Sequence, residues 1–300
     1  MNLMHKLLPT TVVGSYPAVK GTGLLSRLDP MKHALETAVA DQVAAGIDII
    51  STGQVRGDMI GSFTTHLPGI RGQQVTGKVS PSPKPMTVAD TRYALSVHPK
   101  VKGIITGPST IAHGLQIATP MYRNRDELIL DIAQALAAEA QALEEAGVMV
   151  LQIDEPILST GVANLHTAQH AVGMITSVLR IPTCLHVCGD LAAVIDDLRR
   201  MPVNILDIES AGNPGNLDSV ARTDLKGKML GFGAVDSASP EVEPQEVIEK
   251  RIGRGVELFG AERLLIDPDC GLRMLPRAAA FEKLSRMAAA AAAVRSAVLE

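Results

Sequence analysis

The strongest constraint on the fold is the alternation of short β-rich runs with longer helix-forming runs along the chain. Eight β-rich runs occupy residues 10–14, 47–51, 102–106, 148–153, 182–188, 203–208, 228–233 and 263–267. Helix-forming runs lie near residues 30–45, 125–146, 164–179, 190–199, 216–223, 244–259 and 276–298. Repeated βα units predict a parallel sheet, and eight of them predict an α/β fold of the (βα)8 TIM-barrel type.

The chain is longer than one such barrel requires. It has 300 residues, whereas about 250 are typical of the fold. The surplus falls at about residues 56–100, between the second and third runs, and includes the proline-rich sequence at 80–85. We therefore expect one domain over residues 1–300, in which the 56–100 excursion contains a hairpin within residues 70–79 and acts as a lid over the barrel mouth.

Composition and charge exclude several classes of protein. Apolar residues make up 46% of the chain, charged residues 20%, and the formal net charge is -4. The chain has no long run of Lys or Arg that could bind phosphates, so we expect no nucleic-acid partner and no membrane partner. The N-terminus lacks the features of a signal peptide, and no apolar run reaches the length of about 18 residues needed to span a bilayer. We expect a cytoplasmic protein.

The segment at residues 182–190, Pro-Thr-Cys-Leu-His-Val-Cys-Gly-Asp, offers metal ligands at alternate positions. Side chains of a strand alternate between faces, so Cys184, His186 and Cys188 would project from one face. Thiolate and imidazole ligands suit Zn²⁺. This segment alone leaves a second interpretation open, because cysteine is often buried and a histidine among apolar neighbours is commonly a core residue. Three cysteines in the chain are too few and odd in number for a disulfide framework,.

The ends of the predicted strands are unusually polar, and in this type of barrel functional groups lie at the carboxyl ends of the strands. These residues are Ser15, Gln54, Asp154 with Glu155, His186 with Cys188, Glu209, Asp236 and Cys270. Four of them come from adjacent or nearly adjacent strands and offer two sulfur, one nitrogen and one oxygen donor: Cys188, Cys270, His186 and Glu209. We predict that these four residues bind zinc. Cys184 lies two residues deeper, so we assign it to the core.

Five separate stretches carry a family resemblance that covers nearly the whole chain. They are Thr-Val-Val-Gly-Ser-Tyr-Pro at 11–17, Gly-Gln-Val-Arg-Gly-Asp-Met at 53–59, Gln-Ile-Asp-Glu-Pro at 152–156, His-Val-Cys-Gly at 186–189 and Ile-Asp-Pro-Asp-Cys-Gly-Leu-Arg at 266–273. The sequence resembles the catalytic barrel of the cobalamin-independent methionine synthases. It is most similar to the short, single-barrel members best known from methanogenic archaea.

The resemblance implies a zinc-dependent enzyme that methylates homocysteine to methionine. It implies the same four zinc ligands, and it places Ser15, Gln54 and Asp154 around the amino acid portion of homocysteine. A thiol bound to Zn²⁺ is deprotonated and therefore nucleophilic. We expect Asp154 to receive the substrate ammonium and Glu209 to be an exchangeable ligand that yields to the substrate sulfur. Arg56 and Asp58, which fall in one of the matching stretches, border the pocket or form a structural ion pair.

The sequence also departs from the folate-using members of this family. Those members carry a second, N-terminal barrel, a Glu at the position of Gln54 and a tryptophan that stacks on the pterin, whereas this chain contains no tryptophan. They also carry a histidine, the proposed proton donor, where this chain has Ala238. Transfer from a folate nitrogen needs a general acid, whereas transfer from methylcobalt(III) does not. These departures favour a methylcorrinoid donor, either methylcobalamin or a methylated corrinoid protein.

Other functions remain open on the sequence. One is methionine synthesis with methyltetrahydrofolate as the donor. Another is a zinc barrel that methylates a different thiol, such as a coenzyme thiolate, or that binds zinc without catalysis. Ser15 and Asp154 disfavour mere zinc storage, because storage needs no substrate pocket.

Overall fold

The computed structural model describes residues 6–19, 21 and 29–300. Its strands, β1–β9 in chain order, are Ile70–Arg71, Gln74–Val75, Lys102–Thr106, Gln116–Ile117, Val150–Asp154, Thr183–Val187, Ile205–Ile208, Met229–Val235 and Leu264–Pro268. Its α-helices, α1–α10, are Lys32–Ala44, Gly61–Thr64, Val88–Val97, Pro108–His113, Arg125–Ala146, Leu165–Thr176, Ile195–Leu198, Gly215–Ala221, Gln245–Phe259 and Arg277–Leu299. Short 3-10 helices cover Pro156–Thr160 and Ala261–Arg263.

Eight parallel strand positions close into a barrel, as the sequence predicts. Six of them are regular strands in the order β3-β5-β6-β7-β8-β9. The other two are the first two β-rich runs, which contribute single bridges rather than long ladders. Parallel bridges join Thr10 to Ile266, Thr11 to Ile49, and Ile50 to Val101, so these two segments lie between β9 and β3 and complete the circle.

The barrel interior is apolar at one level and polar at the next. The apolar level is a buried cluster of Ile49, Val150, Cys184, Ile205, Met229 and Leu265. Because side chains of a strand alternate between faces, the residue two positions further along each strand also points inward. On five strands these next residues are Gln152, His186, Asp207, Gly231 and Asp267. The sequence therefore builds an apolar floor below a polar layer, and it places Cys184 in the floor.

The outer helices cover the barrel through apolar faces. In α5, Leu128, Ile132 and Leu136 recur every four residues and are fully buried, which is the spacing of one helix face. The side chain of Asn124 accepts a hydrogen bond from the Glu127 amide at the start of α5, and Gly147 ends it in a left-handed conformation,. Among the described residues, no helix is long and apolar enough to cross a membrane.

The excursion between the second and third barrel positions has its own structure. Strands β1 and β2 form the predicted hairpin, with Ile70 opposite Val75, and β4 adds to it in parallel. The excursion is fastened to α5, since the buried carboxylate of Glu139 accepts hydrogen bonds from the amides of Met86 and Thr87 and from the Thr87 hydroxyl. Whether it acts as a lid stays a prediction.

The predicted helices differ from the structure in the length of one helix and in the number of helices. The run at 190–199 forms a helix only over Ile195–Leu198, and a turn precedes it in which the amides of Val194 and Ile195 donate to the Leu191 carbonyl. The sequence analysis also missed α2, α3 and α4. The longest of them is α3, Val88–Val97, which lies inside the excursion. Its buried residues Val88, Thr91 and Ala94 follow a three-residue spacing that could have indicated it,.

The crowding of the polar layer predicts that Gly231→Ala destabilises the barrel. A Cβ atom on Gly231 would lie 2.6 Å from the Cβ of Asp207, and such overpacking costs about 1–3 kcal/mol. The control is Gly253→Ala in α9, where an added Cβ meets nothing within 4 Å and replacing a helical glycine gains about 0.5–1 kcal/mol. Urea denaturation measures both free energies of unfolding, and equal values for the two variants would contradict the expectation.

Candidate active site

Three of the four predicted metal ligands meet at the mouth of the barrel. His186 lies near the end of β6, Cys188 follows that strand, and Cys270 follows β9. A ring nitrogen of His186 and the two Sγ atoms all lie within 4.8 Å of one another. Since β6 and β9 are separated by β7 and β8 in the sheet, these side chains converge across the barrel interior rather than along one strand.

Glu209, the fourth predicted ligand, lies beside this group but does not belong to it. Its Oε2 accepts a hydrogen bond from the Gly189 amide at 3.0 Å. Gly189 directly follows Cys188, so the carboxylate is held next to that cysteine. The charge of Glu209 opposes ionisation of the Cys188 thiol.

The three residues fit a bound metal ion. The ring of His186 is 2% exposed, and neither ring nitrogen meets hydrogen-bond geometry with a neighbour. Burying a polar atom without a partner costs free energy. A metal ion that accepts the lone pair of a ring nitrogen would remove this cost. The Sγ atoms of Cys188 and Cys270 lie within 4.8 Å of each other, and the interaction of the two thiols lowers the pKa of Cys188 and raises that of Cys270. Two sulfur donors and one nitrogen donor are ligands typical of zinc.

A buried carboxylate joins the two loops that carry Glu209 and Cys270. Asp269 accepts hydrogen bonds from the three successive amides of residues 210–212 at 2.6–2.8 Å. Burial raises the pKa of Asp269 to about 6. Gly233 makes room for it, because a Cβ there would overlap the Asp269 side chain. The loops after β7 and β9 therefore have fixed positions relative to each other.

The predicted substrate residues line one cavity with the ligand group. The cavity has a volume of about 660 Å³, and its lining includes Ser15, Gln54, Asp154, His186, Cys188 and Cys270. Asp154 is 5% exposed, and its Oδ1 accepts a hydrogen bond from Gln152 at 2.7 Å. Burial raises the pKa of Asp154, and the nearby His186 opposes that rise.

Residues after β9 fix the positions of Gln54 and Ser15. Gln54 has a φ of 43°, a left-handed conformation that is unfavourable for a residue with a side chain. The guanidinium of Arg273 donates hydrogen bonds to the carbonyl oxygens of Gln54 and Gly57. The Leu272 amide donates to the Ser15 carbonyl at 2.8 Å. The pocket residues and the Cys270 loop are thus positioned together.

Other charged residues occupy the rim or lie outside it. Arg56 lines the cavity and also forms ion pairs with Asp29 and Asp90. It therefore both borders the pocket and takes part in structural ion pairs. Asp58 lines the cavity while its Oδ1 accepts hydrogen bonds from the amides of residues 60 and 61. Asp236 ends its strand in a turn, where its Oδ1 accepts from the Ala238 amide at 2.7 Å, and it does not line the cavity.

The sequence analysis missed several polar residues that lie inside the barrel or hold the loops around the site. They are Lys102, Asp207, Asp267, Asp269 and Arg273. Asp207 and Asp267 stand two positions beyond floor residues of their strands, and this period-two spacing could have found them. Asp269 and Arg273 follow a strand, and no local pattern indicates which backbone groups they reach.

Asp269→Asn is expected to destabilise the site loops. The change removes a charge from a carboxylate that accepts three amide hydrogen bonds, and a bond to a charged group is worth about 1.5–3 kcal/mol. We expect a loss of about 2 kcal/mol in the free energy of unfolding and weaker metal binding. Asp218→Asn on the exposed surface of α8 is the control and should change neither. Urea denaturation and metal titration test this, and wild-type behaviour of Asp269→Asn would contradict it.

Comparison with known proteins identifies the family. Residues 8–293 match the family model described as "Cobalamin-independent synthase, Catalytic domain". A methionine synthase from Methanothermobacter marburgensis is 44% identical over 94% of this chain and 98% of its own length. A 5-methyltetrahydropteroyltriglutamate--homocysteine methyltransferase from Halalkalibacterium halodurans is 31% identical over 96% of this chain and 43% of its own length. A solved B12-independent methionine synthase from Shewanella sp. W3-18-1, in complex with selenomethionine, has the same fold, with a TM-score of 0.86 and 23% identity over 98% of this chain and 99% of that one.

The comparisons correct the expected methyl donor. The prediction of a methylcorrinoid or a corrinoid protein is wrong, because the matching family is described as cobalamin-independent. The prediction rested on missing residues, the histidine at the position of Ala238 and any tryptophan. Such an absence removes one proton donor and one stacking surface, but it leaves another titratable side chain, His66, in the cavity lining. The match over residues 8–293 and the relatives of similar length show that the chain belongs to the family of cobalamin-independent synthases, within their catalytic domain.

Proposed function

We propose that this chain is a zinc-dependent homocysteine S-methyltransferase that forms methionine. One observation carries the proposal: the ligand atoms of His186, Cys188 and Cys270 lie within 4.8 Å of one another in a cavity that Asp154 also lines. The cavity thus offers a metal-ligand group and a carboxylate for an amino acid substrate. The relative from Methanothermobacter marburgensis is named a methionine synthase, which supports the assignment.

His186, Cys188 and Cys270 would hold Zn²⁺, with Glu209 as the fourth ligand. Bound zinc would keep the thiol of homocysteine deprotonated and nucleophilic at neutral pH. The two cysteine thiolates add negative charge that keeps this sulfur electron-rich. Glu209 already has an alternative partner in the Gly189 amide, so it can leave the ligand position to the substrate sulfur without becoming an unpaired charge.

Asp154 would orient the substrate through its ammonium group. A buried carboxylate is stabilised when a cation pairs with it, so the ammonium would counteract the burial of Asp154. Ser15 and Gln54 would contact the rest of the amino acid portion. Gln54 is a neutral amide, so its contact with the ammonium is weaker than a carboxylate would provide. These contacts hold the sulfur in line with the methyl group to be transferred.

A methylated tetrahydropterin is the proposed donor. The relative from Halalkalibacterium halodurans is named for such a donor and for homocysteine as the acceptor. A cavity of about 660 Å³ lies well within the range of roughly 300–1,000 Å³ for small-molecule sites, so it has room beyond homocysteine. Methyl transfer from the pterin nitrogen needs a proton at that nitrogen, and His66 lines the cavity as a candidate source.

The excursion at 56–100 would cover the reaction in a single domain that spans residues 1–300. It contributes Met59, Phe63 and Met86 to the cavity wall. An apolar cover excludes water from the reacting sulfur and the methyl group. A closing motion of this excursion stays a prediction.

The ligand assignment predicts different outcomes for the three cysteines. Cys188→Ser and Cys270→Ser should lose zinc and activity, because a thiolate ligand is replaced by a poorer donor. Cys184→Ala is the matched control: Cys184 is fully buried in the barrel floor, so its loss should cost packing and leave the zinc content unchanged. Metal analysis of the purified variants decides, and full zinc content in Cys270→Ser would remove the proposed site.

The donor assignment predicts that zinc-loaded protein forms methionine from homocysteine and methyltetrahydrofolate. The folate is tested in two forms, with a tail of one glutamate and with a tail of three. Methylcobalamin is assayed in parallel under the same conditions. Asp154→Asn, which removes the charge that binds the ammonium, should raise KM for homocysteine with any donor. Methionine formed from methylcobalamin alone would refute the pterin assignment, and no methionine from either donor would refute the proposed function.

A further inference from the structure

We propose that Asp207 is a positioning residue that sets the tautomer and orientation of His186 and so tightens metal binding at the site. The inference rests on the proposed function insofar as the metal is zinc. It assigns a role to a residue that is not itself a ligand and that the chemistry described above does not use.

Asp207 and His186 face each other across neighbouring strands. They are paired in the parallel register of β6 and β7, and both side chains point into the barrel. Nδ1 of His186 lies 3.2 Å from Oδ2 of Asp207, and the two side chains are 3% and 0% exposed. The distance is that of an ion pair, although the ring is not aligned for a hydrogen bond.

Neither group has another hydrogen-bond partner among the described residues. Both carboxylate oxygens of Asp207 and both ring nitrogens of His186 lack one. An unpaired buried carboxylate is strongly unfavourable, so the Nδ1–H of His186 is the donor within reach that can satisfy Asp207. Gly231 on β8 provides the space, because a Cβ there would lie 2.6 Å from the Cβ of Asp207.

This contact determines which ring nitrogen serves the metal. With Nδ1 protonated and paired with Asp207, Nε2 keeps its lone pair and is the ring nitrogen left for the metal. A carboxylate that accepts the other N–H of a ligand histidine fixes the ring and raises the basicity of the ligand nitrogen. Loss of such a partner commonly weakens metal affinity about 10–100-fold.

Asp267 is a matched control in the same polar layer. It is also fully buried, and both of its carboxylate oxygens also lack hydrogen-bond partners. It lies on β9 in register with Gly233. Among the described residues no ion pair joins it to His186, which pairs with Asp207 instead. Replacing either carboxyl group by an amide therefore changes the polar layer, but only Asp207 lies at ion-pair distance from His186.

The test is the zinc dissociation constant of wild type, Asp207→Asn and Asp267→Asn, measured by competition with a chromophoric chelator. Asp207→Asn should weaken zinc binding about 10–100-fold, and Asp267→Asn should bind as wild type does. Wild-type affinity in Asp207→Asn would overturn the inference, as would equal losses in both variants. If wild type itself binds no zinc, the proposed function fails instead.

A second measurement does not depend on the fold of a variant. In zinc-loaded wild type, ¹⁵N NMR of the histidine rings, with the His186 signals assigned by their absence in His186→Gln, reports the tautomer. The expected result is a protonated Nδ1 and a metal-bound Nε2. A metal-bound Nδ1 would overturn the inference even if Asp207→Asn cannot be purified in folded form.

Discussion

The site depends on one geometric constraint, the alternation of side chains along parallel strands that close into a barrel. An apolar residue in the floor fixes the inward face of each strand, and the residue two positions on must then point inward as well. In this chain that second level is polar, with Gln152, His186, Asp207 and Asp267. The ligands and Asp154 stand at this level or just above it. A one-residue slip of a strand would turn its polar residues into the outer core.

Burying polar groups in and around the site is costly, and the structure offsets the cost through specific contacts. Glu155 is fully buried, and its carboxylate accepts hydrogen bonds from the amides of Ser109 and Thr110 and from the Thr110 hydroxyl. Burial raises its pKa to about 7 in spite of these bonds. Asp269 is held in a similar way by residues 210–212. His186 and Asp207 lack such donors, and this difference is why a metal and the Nδ1 contact are expected there.

Much of the fold and the ligand group follow from local patterns in the sequence. The βα period fixes the barrel and its strand order, and the ends of strands locate Ser15, Gln54, Asp154, His186, Cys188 and Cys270, all of which line the cavity. The rest depends on contacts between distant segments. Two such contacts are the hydrogen bond that the Gly189 amide donates to the Glu209 carboxylate and the one that Arg273 donates to the Gln54 carbonyl. Neither is indicated by periodicity or spacing in the sequence. The donor was mispredicted because the prediction rested on residues that the chain lacks, a histidine at the position of Ala238 and any tryptophan. It did not consider the other polar groups that line the cavity.

The central claim is that the metal receives the sulfur of homocysteine in place of an oxygen ligand. X-ray absorption at the zinc edge measures this directly on zinc-loaded protein before and after homocysteine is added. The account predicts that sulfur coordination rises from the two thiolates of Cys188 and Cys270 to three sulfurs, with loss of one oxygen neighbour. An unchanged edge and unchanged sulfur coordination at saturating homocysteine would contradict it.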